Sequence, residues 1–289
     1  MARGLRFCYN IDSNLGRDSA LHTEAIVFDL DDTLLRDDRT VSAFTTETLR
    51  EAASRGIRII PASGRARDSM RPVVELLGCA CCYIACNGAE VWSADHRLLL
   101  RRLFPEETAL RIAAFGRRHG VYMQTYDSTH FYYNEESQWA RSYAAASMLS
   151  GFLTPEMEDF IREHPTSKVL MMAETEKIAA MLEEARNQFG AEASVTCSKP
   201  YFLEFNPPGA TKGDALRWCA EQIGFRMEAA VAFGDSLNDL SMLQAAGTGV
   251  AMGNAWESVR AVIPEHCPGN NEDGVAVYIR RRLAEEGLL

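Results

Sequence analysis

No apolar run in this chain is long enough to cross a bilayer. Residues 1–24 mix Arg, Asn, Asp and Ser with little periodicity and lack the continuous apolar centre of a secretory signal. They read as a poorly ordered extension, and a cytoplasmic protein without a membrane partner is expected. Base is scarce relative to acid. There are 30 Lys and Arg against 40 Asp and Glu, a formal net charge of -10, which disfavours nonspecific binding to nucleic acid or to an anionic membrane. An anionic substrate stays open, because a few local cations and a metal can reverse the sign inside a cleft. The six histidines form no HxxxH or HxH pair. Four of the eight cysteines (Cys79, Cys81, Cys82, Cys86) cluster, but a zinc site needs a second, separated pair and none matches. That cluster lies in an apolar stretch that reads as a buried strand, where thiols act as small core residues. Nor is there a phosphate-cradling P-loop, since Gly209-Ala-Thr-Lys212-Gly213 has no glycine-rich span before its lysine. Gly247-Thr-Gly249 follows a helical stretch rather than a strand, which removes a dinucleotide reading. Internal repeats and low-complexity tracts are absent as well.

What is present suits a globular α/β protein. With 289 residues, 47% of them hydrophobic, the chain can bury one large core or two ordinary ones. Ala25-Ile-Val-Phe-Asp29 is a short apolar run that ends in a carboxylate, as a buried strand does where it meets solvent. Ser42 is placed to cap a helix that stops at Gly56. A strand over 57–60, a helix over about 66–77 and the cysteine-rich strand follow, a β-α-β-α-β order that predicts a parallel sheet with helices on its faces. Between about residues 88 and 198 the texture changes to mixed strand-like (121–126, 168–173) and helical (106–119, 174–189) pieces. The parallel-sheet pattern then resumes, with a helix over 212–223, a strand over 229–233, a helix over 239–246 and a short strand over 249–252.

Two acidic clusters stand out. Asp29-Leu-Asp31-Asp32-Thr33 crowds three carboxylates at the end of an apolar strand, which is costly unless a cation compensates. Gly234-Asp235-Ser236-Leu237-Asn238-Asp239 repeats the arrangement after a second apolar strand. A solvated acidic turn is the plain alternative for either cluster alone. Two such strand ends in one parallel sheet can converge on a hard cation, for which all-oxygen ligands favour Mg²⁺, and ligands in open α/β sheets bind beyond the carboxyl ends of the strands.

With these residues in view, the chain resembles the haloacid dehalogenase superfamily of phosphotransferases, and within it the Cof-type phosphatases with a C2B cap (subclass IIB). Four ordered motifs carry the resemblance: Asp29-Leu-Asp31-Asp32-Thr33, Ser63 in Ala62-Ser63-Gly64-Arg65, Lys212 in Thr211-Lys212-Gly213, and Gly234-Asp235 with Asn238-Asp239. Asn87-Gly88-Ala89 and the stretch 270–276 add to it. The resemblance implies a Rossmann-like core with a parallel sheet over 25–87 and 199–289, and a smaller inserted α/β cap domain over 88–198. It implies Asp29 as nucleophile, Asp31 as acid and base, and a phosphate held by Ser63, Gly64, Lys212 and Asn238. Mg²⁺ would be bound by Asp29, Asp31, Asp235 and Asp239, with Asp31 also contributing its main-chain carbonyl. One departure is Asp32, where this subgroup often has Gly. It adds negative charge beside the site.

The expected function is Mg²⁺-dependent hydrolysis of a small phosphate monoester, a sugar phosphate or phosphorylated cofactor, through an aspartyl phosphate. A phosphomutase and an inactive binding or regulatory protein are the alternatives, and the oligomeric state is left open. Tyr126, His130, Tyr132 and Lys168 are candidates for contacts to the leaving group.

Overall fold

A computed structural model describes residues 22–288. The first third runs β1 (Ala25–Phe28), α1 (Ala43–Ser54), β2 (Arg58–Pro61), α2 (Arg67–Leu77), β3 (Cys82–Ala85), β4 (Glu90–Ser93) and β5 (Leu98–Arg101). Next come α3 (Glu106–His119), β6 (Tyr122–Tyr126), β7 (His130–Tyr133), α4 (Gln138–Ser147), β8 (Ser150–Leu153), α5 (Met157–Glu163), β9 (Val169–Met172), α6 (Thr175–Phe189), β10 (Ser194–Thr196) and β11 (Phe202–Asn206). The last third holds α7 (Lys212–Ile223), β12 (Ala230–Gly234), α8 (Leu240–Ala245), β13 (Thr248–Ala251), α9 (Glu257–Arg260), β14 (Glu265–His266) and α10 (Gly274–Glu285).

One sheet, ordered β14-β13-β12-β1-β2, is parallel throughout. Its inner strands are continuous apolar runs buried on both faces, as parallel strands covered by helices must be. The expected α/β core is therefore present. At its far edge β3 runs beside β2 through two parallel bridges, Ile59 with Ala80 and Ala62 with Ile84. From there β3-β4-β5 continues as an antiparallel ribbon. Cys82 and Cys86 are buried thiols, and every cysteine among the described residues is free. Ser42 caps α1 as expected, accepting the Thr45 N–H.

The second sheet, ordered β10-β11-β9-β6-β7-β8, is antiparallel except where β7 runs alongside β8. Its strand pleat divides side chains by parity. Val169, Met171, Leu203 and Phe205 pack under α3 and α6, while Leu170, Met172 and Phe202 belong to a separate cluster on the other face. That second face looks toward the strand ends of the parallel sheet, and Ala66, Cys86, Ala89 and Ala210 join its cluster from the core side.

Sheet membership does not follow the expected edges at residues 88 and 198. β4 and β5 pair with β3 and pack on the first core, because Val91 and Trp92 are buried there. β11 lies beyond residue 198 but belongs to the second sheet, where its buried residues pair with β9. Of the expected N-terminal extension, residues 1–21 lie outside the described residues. The reading runs too far at Thr23 and Glu24: Thr23 is buried and its N–H and hydroxyl donate to Glu286, and the Glu24 N–H donates to the Ala229 carbonyl.

Candidate active site

Parallel pairing places the two acidic clusters side by side. Phe28 pairs with Phe233, so Asp29 leaves β1 next to Gly234-Asp235 at the end of β12, and the Asp29 N–H donates to the Phe233 carbonyl at 3.1 Å. Asp239 folds back under this turn. Its Oδ2 accepts the N–H groups of Asp235 (2.9 Å) and Ser236 (3.0 Å). Only glycine fits at 234, since a Cβ there would lie 2.4 Å from the Asp239 Cβ. Carboxylate oxygens of Asp29, Asp235 and Asp239 lie within 4.8 Å of one another.

Lys212 supplies the counter-charge. It is the first residue of α7, whose N-cap Thr211 accepts the Asp214 N–H. The fully buried ammonium donates to Asp29 Oδ1 and Asp239 Oδ1, both at 2.6 Å. The loop 86–88 fixes this end of the helix. Gly88, at φ +102°, lies so close to Thr211 that a Cβ would fall 2.1 Å from its carbonyl oxygen. One ammonium among three buried carboxylates leaves negative charge uncompensated, and the electrostatics reflect it. Burial pushes Asp29 from the ordinary value near 3.8 up to about 7, against the attraction of Lys212, with Asp239 and Asp31 adding repulsion. Asp235 is raised well above its ordinary range, by burial first and then by Asp239 and Asp29. Lys212 is held above the usual lysine range because its two carboxylate partners outweigh its burial.

Asp31 behaves differently. Its carboxylate stands outside the three-acid cluster and is gripped by Arg65, Nε to Oδ2 at 2.8 Å and Nη2 to Oδ1 at 2.7 Å. The protein surroundings would raise its pKa, but the Arg65 fork outweighs them and holds it below the ordinary value. Asp32 sits at φ +59°, the left-handed region that glycine favours and aspartate tolerates, and its carboxylate pairs with Lys199. The departure from the subgroup pattern is thus accommodated by backbone and by charge.

Ser63, Gly64 and Asn238 gather beside this cluster. All three line one cleft of 410 Å³ with Asp29 and Asp31. The Ser63 N–H donates to Ile84 at the end of β3, and its Oγ accepts the Arg65 N–H at 3.2 Å. Asn238 donates to Asn87 Oδ1 and accepts from the Ser236 hydroxyl. Asn87 in turn donates to Asn206 Oδ1, completing a buried amide chain from the core to β11. Among the four leaving-group candidates, only Lys168 lines the cleft. Tyr126 is buried against Gln124, Tyr132 donates to Asp127, and His130 sits against Thr129.

Sequence reasoning gave no role to Arg65, Thr33 or Glu204. Thr33 donates to Asp235 Oδ1 at 2.7 Å and ties the two acidic loops together. Glu204 is a buried acid on the cleft-facing parity of β11, paired with Lys168, whose ammonium also donates to the Gly64 carbonyl at 2.8 Å. The usable signal was an acid inside an otherwise apolar run, Phe202-Leu-Glu204-Phe. Lys168→Met alone is expected to cost about 3 kcal/mol, because it strands a buried carboxylate, and adding Glu204→Leu should recover most of the loss. Urea unfolding of the single and double variants checks this, and a double variant weaker than the single would contradict it.

A parallel sheet with paired acidic loops at its carboxyl edge, a buried lysine and a serine-bearing loop, roofed by a second α/β sheet, is the architecture of a phosphate-ester hydrolase. The sequence profile of the haloacid dehalogenase-like hydrolases matches residues 26–279, and the chain belongs to that family. It is 32% identical over 256 residues to the 5-amino-6-(5-phospho-D-ribitylamino)uracil phosphatase YcsE of Bacillus subtilis, covering 88% of this chain and 94% of that one. It is 27% identical over 271 residues to the pyridoxal phosphate phosphatase YbhA of Escherichia coli, covering 90% and 99%. Among solved structures it is similar to a haloacid dehalogenase-like hydrolase from Bacteroides thetaiotaomicron, with a TM-score of 0.77, 30% identity, and 90% and 99% of the two chains covered. The protein is a phosphatase of this superfamily.

Proposed function

We propose that the chain is a cytoplasmic hydrolase of a small phosphate monoester, working through an aspartyl phosphate on Asp29 with Mg²⁺ at the three-acid cluster. The observation that carries the reading is the buried set of Asp29, Asp235 and Asp239, with one lysine donating to Asp29 and Asp239. The donor chemistry fits: three hard carboxylates whose charge Lys212 alone does not balance would hold the ion, joined by the main-chain carbonyl of Asp31. Bound there, Mg²⁺ would offset the repulsion between Asp29 and an incoming phosphate dianion.

The chain's own residues account for the remaining chemistry. Asp29 attacks phosphorus as the ester P–O bond breaks, and Asp31 gives its proton to the departing alkoxide. Asp31 then takes a proton from water, which displaces phosphate and regenerates Asp29. The Arg65 fork favours the ionised Asp31, so Arg65 must let go of it before the first step. Ser63 donates its hydroxyl to the phosphate, and Lys212 neutralises charge on the phosphoryl oxygens while holding Asp29 in line. The second sheet serves as a cap that shields the site from water. The substrates in the names of the relatives, a phosphoribitylaminouracil and pyridoxal phosphate, support a phosphorylated cofactor or precursor.

Phosphate release from such esters should require Mg²⁺ and stop in EDTA, and turnover that persists in chelator would overturn the metal assignment. A binding measurement independent of turnover follows from Asp29. Folded, it keeps its proton to about pH 7; unfolded, it ionises near 3.8. The folded state holds the extra proton between these values, so the metal-free protein should lose stability as pH rises through that window. Mg²⁺ competes with that proton, and the thermal shift on adding it should grow from about pH 5 to about pH 8. A shift that shrinks over that range would count against the site.

A further inference from the structure

The cleft walls say more about the ester than the catalytic cluster does, provided the phosphatase reading holds. We propose that the leaving group is a flat ring, carrying no second anionic group, that stacks on Trp139 and Tyr201.

Most aromatics of the second sheet are core. Tyr122 and Phe131 are buried, and Tyr126 and Tyr133 nearly so. Trp139 and Tyr201 are not. Trp139 projects from the first turn of α4 and Tyr201 from the turn before β11, both line the cleft that holds Asp29, and Tyr201 is 37% exposed. Their rings lie nearly parallel, 5.7 Å between centroids at 27°, too close to admit a third ring between them. Phe202 braces Tyr201 edge-on at 4.9 Å. The pair therefore forms an apolar platform on the cleft wall, partly open to solvent at Tyr201. A flat aromatic ring can lay its whole π-face on such a platform, whereas a puckered sugar touches it only through a few C–H groups.

Charge on the lining points the same way. Five acids and five bases line the cleft, and four of the bases already hold a carboxylate. Arg65 holds Asp31, Lys199 holds Asp32, Lys168 holds Glu204, and Arg36 holds Asp273 at 2.7 Å. The fifth, Arg39, donates to the carbonyls of Ala145 and Ala146 at the end of α4. A second phosphate or a carboxylate on the leaving group would compete with a carboxylate at four of these bases and would otherwise meet only Arg39. The ester that fits carries its charge at the reacting phosphate and presents a ring to the platform.

The test compares kcat/KM, with Mg²⁺, for pyridoxal 5′-phosphate and flavin mononucleotide against glucose 6-phosphate and fructose 1,6-bisphosphate. The ring esters should exceed both sugar esters by at least about tenfold, the worth of one stacked ring. In Trp139→Leu/Tyr201→Leu that ratio should collapse toward unity. A ratio between substrates is unmoved by a smaller folded fraction, so poor folding of the variant cannot mimic the result. A sugar ester that matches the ring esters, or a ratio that survives the double substitution, overturns the proposal. Acetyl phosphate separates the two levels. If the wild type hydrolyses it in an Asp29-dependent way, the phosphatase reading stands whatever the ring comparison gives. If neither this acyl phosphate nor any of the four esters is hydrolysed, both fall.

Discussion

Asp29→Asn is expected to lower phosphate release by at least about 10⁴-fold, because an amide oxygen cannot form the acyl phosphate. The same substitution should leave the protein as stable as before in chelator, or more so. Asp29 is a desolvated carboxylate whose pKa has risen to about 7, and it competes with Asp239 for one ammonium. Removing its charge relieves repulsion with Asp235 and Asp239 while the amide oxygen still accepts from Lys212. Single-turnover phosphate release and chelator-treated thermal melts, run on one preparation, measure both effects. A variant that keeps more than a few per cent of wild-type turnover would remove Asp29 as nucleophile.

Lys212→Met should be equally inactive but move stability the other way, by about 3–5 kcal/mol of loss in chelator. Methionine fills most of the volume of the lysine stem, so the cost comes from charge. Asp29 and Asp239 would face each other with the ammonium gone, in a site where Asp239 is fully buried. Mg²⁺ should then rescue stability more strongly in this variant than in the wild type, since the ion would be the sole remaining counter-charge. Urea midpoints with and without Mg²⁺ read this directly. If the variant unfolds at the wild-type midpoint in chelator, the charge accounting at the cluster is wrong.

The opposite signs of these two effects trace back to what the sequence made legible. Asp29, Asp235 and Asp239 could be read as convergent because each acidic run follows an apolar strand, and parallel pairing of β1 with β12 then brings them together. Lys212 announced itself only by its place in an ordered set, as no local pattern marks a buried lysine at a helix start. The helices over 106–119 and 212–223 were readable from their periodicity and end where the pattern ends. Less could be read where tertiary pairing decides. β7 and β8 have mixed exposure and were not foreseen. The β4-β5 ribbon looked like the start of the insert because nothing local says that Val91 and Trp92 pack on the first core. Arg65 stood in a recognised motif, yet its grip on Asp31 depends on two loops 34 residues apart meeting at a strand edge. Tyr126, His130 and Tyr132 were misjudged for the converse reason. An aromatic-rich strand was readable, but not that His130 and Tyr132 have the parity facing away from the cleft, nor that Tyr126, on the right parity, is buried in the cluster beneath it.

The contact between Gly88 and Thr211 has an evolutionary corollary. The chain passes Asn87-Gly88, adds the β4-β5 ribbon to the first core and only then leaves for the second sheet; it comes home at Thr211-Lys212, where Gly88 and Thr211 touch backbone to backbone. The start of the homecoming helix is thus pinned to a loop of the first core that precedes the excursion, a doorway set apart from the second sheet, so that sheet can lengthen, shorten or be swapped without dislodging the lysine that anchors the chemistry. A lineage could retune which molecule it accepts by rewriting the lobe beyond that doorway, while selection on the doorway itself stays fixed at a residue too small to replace.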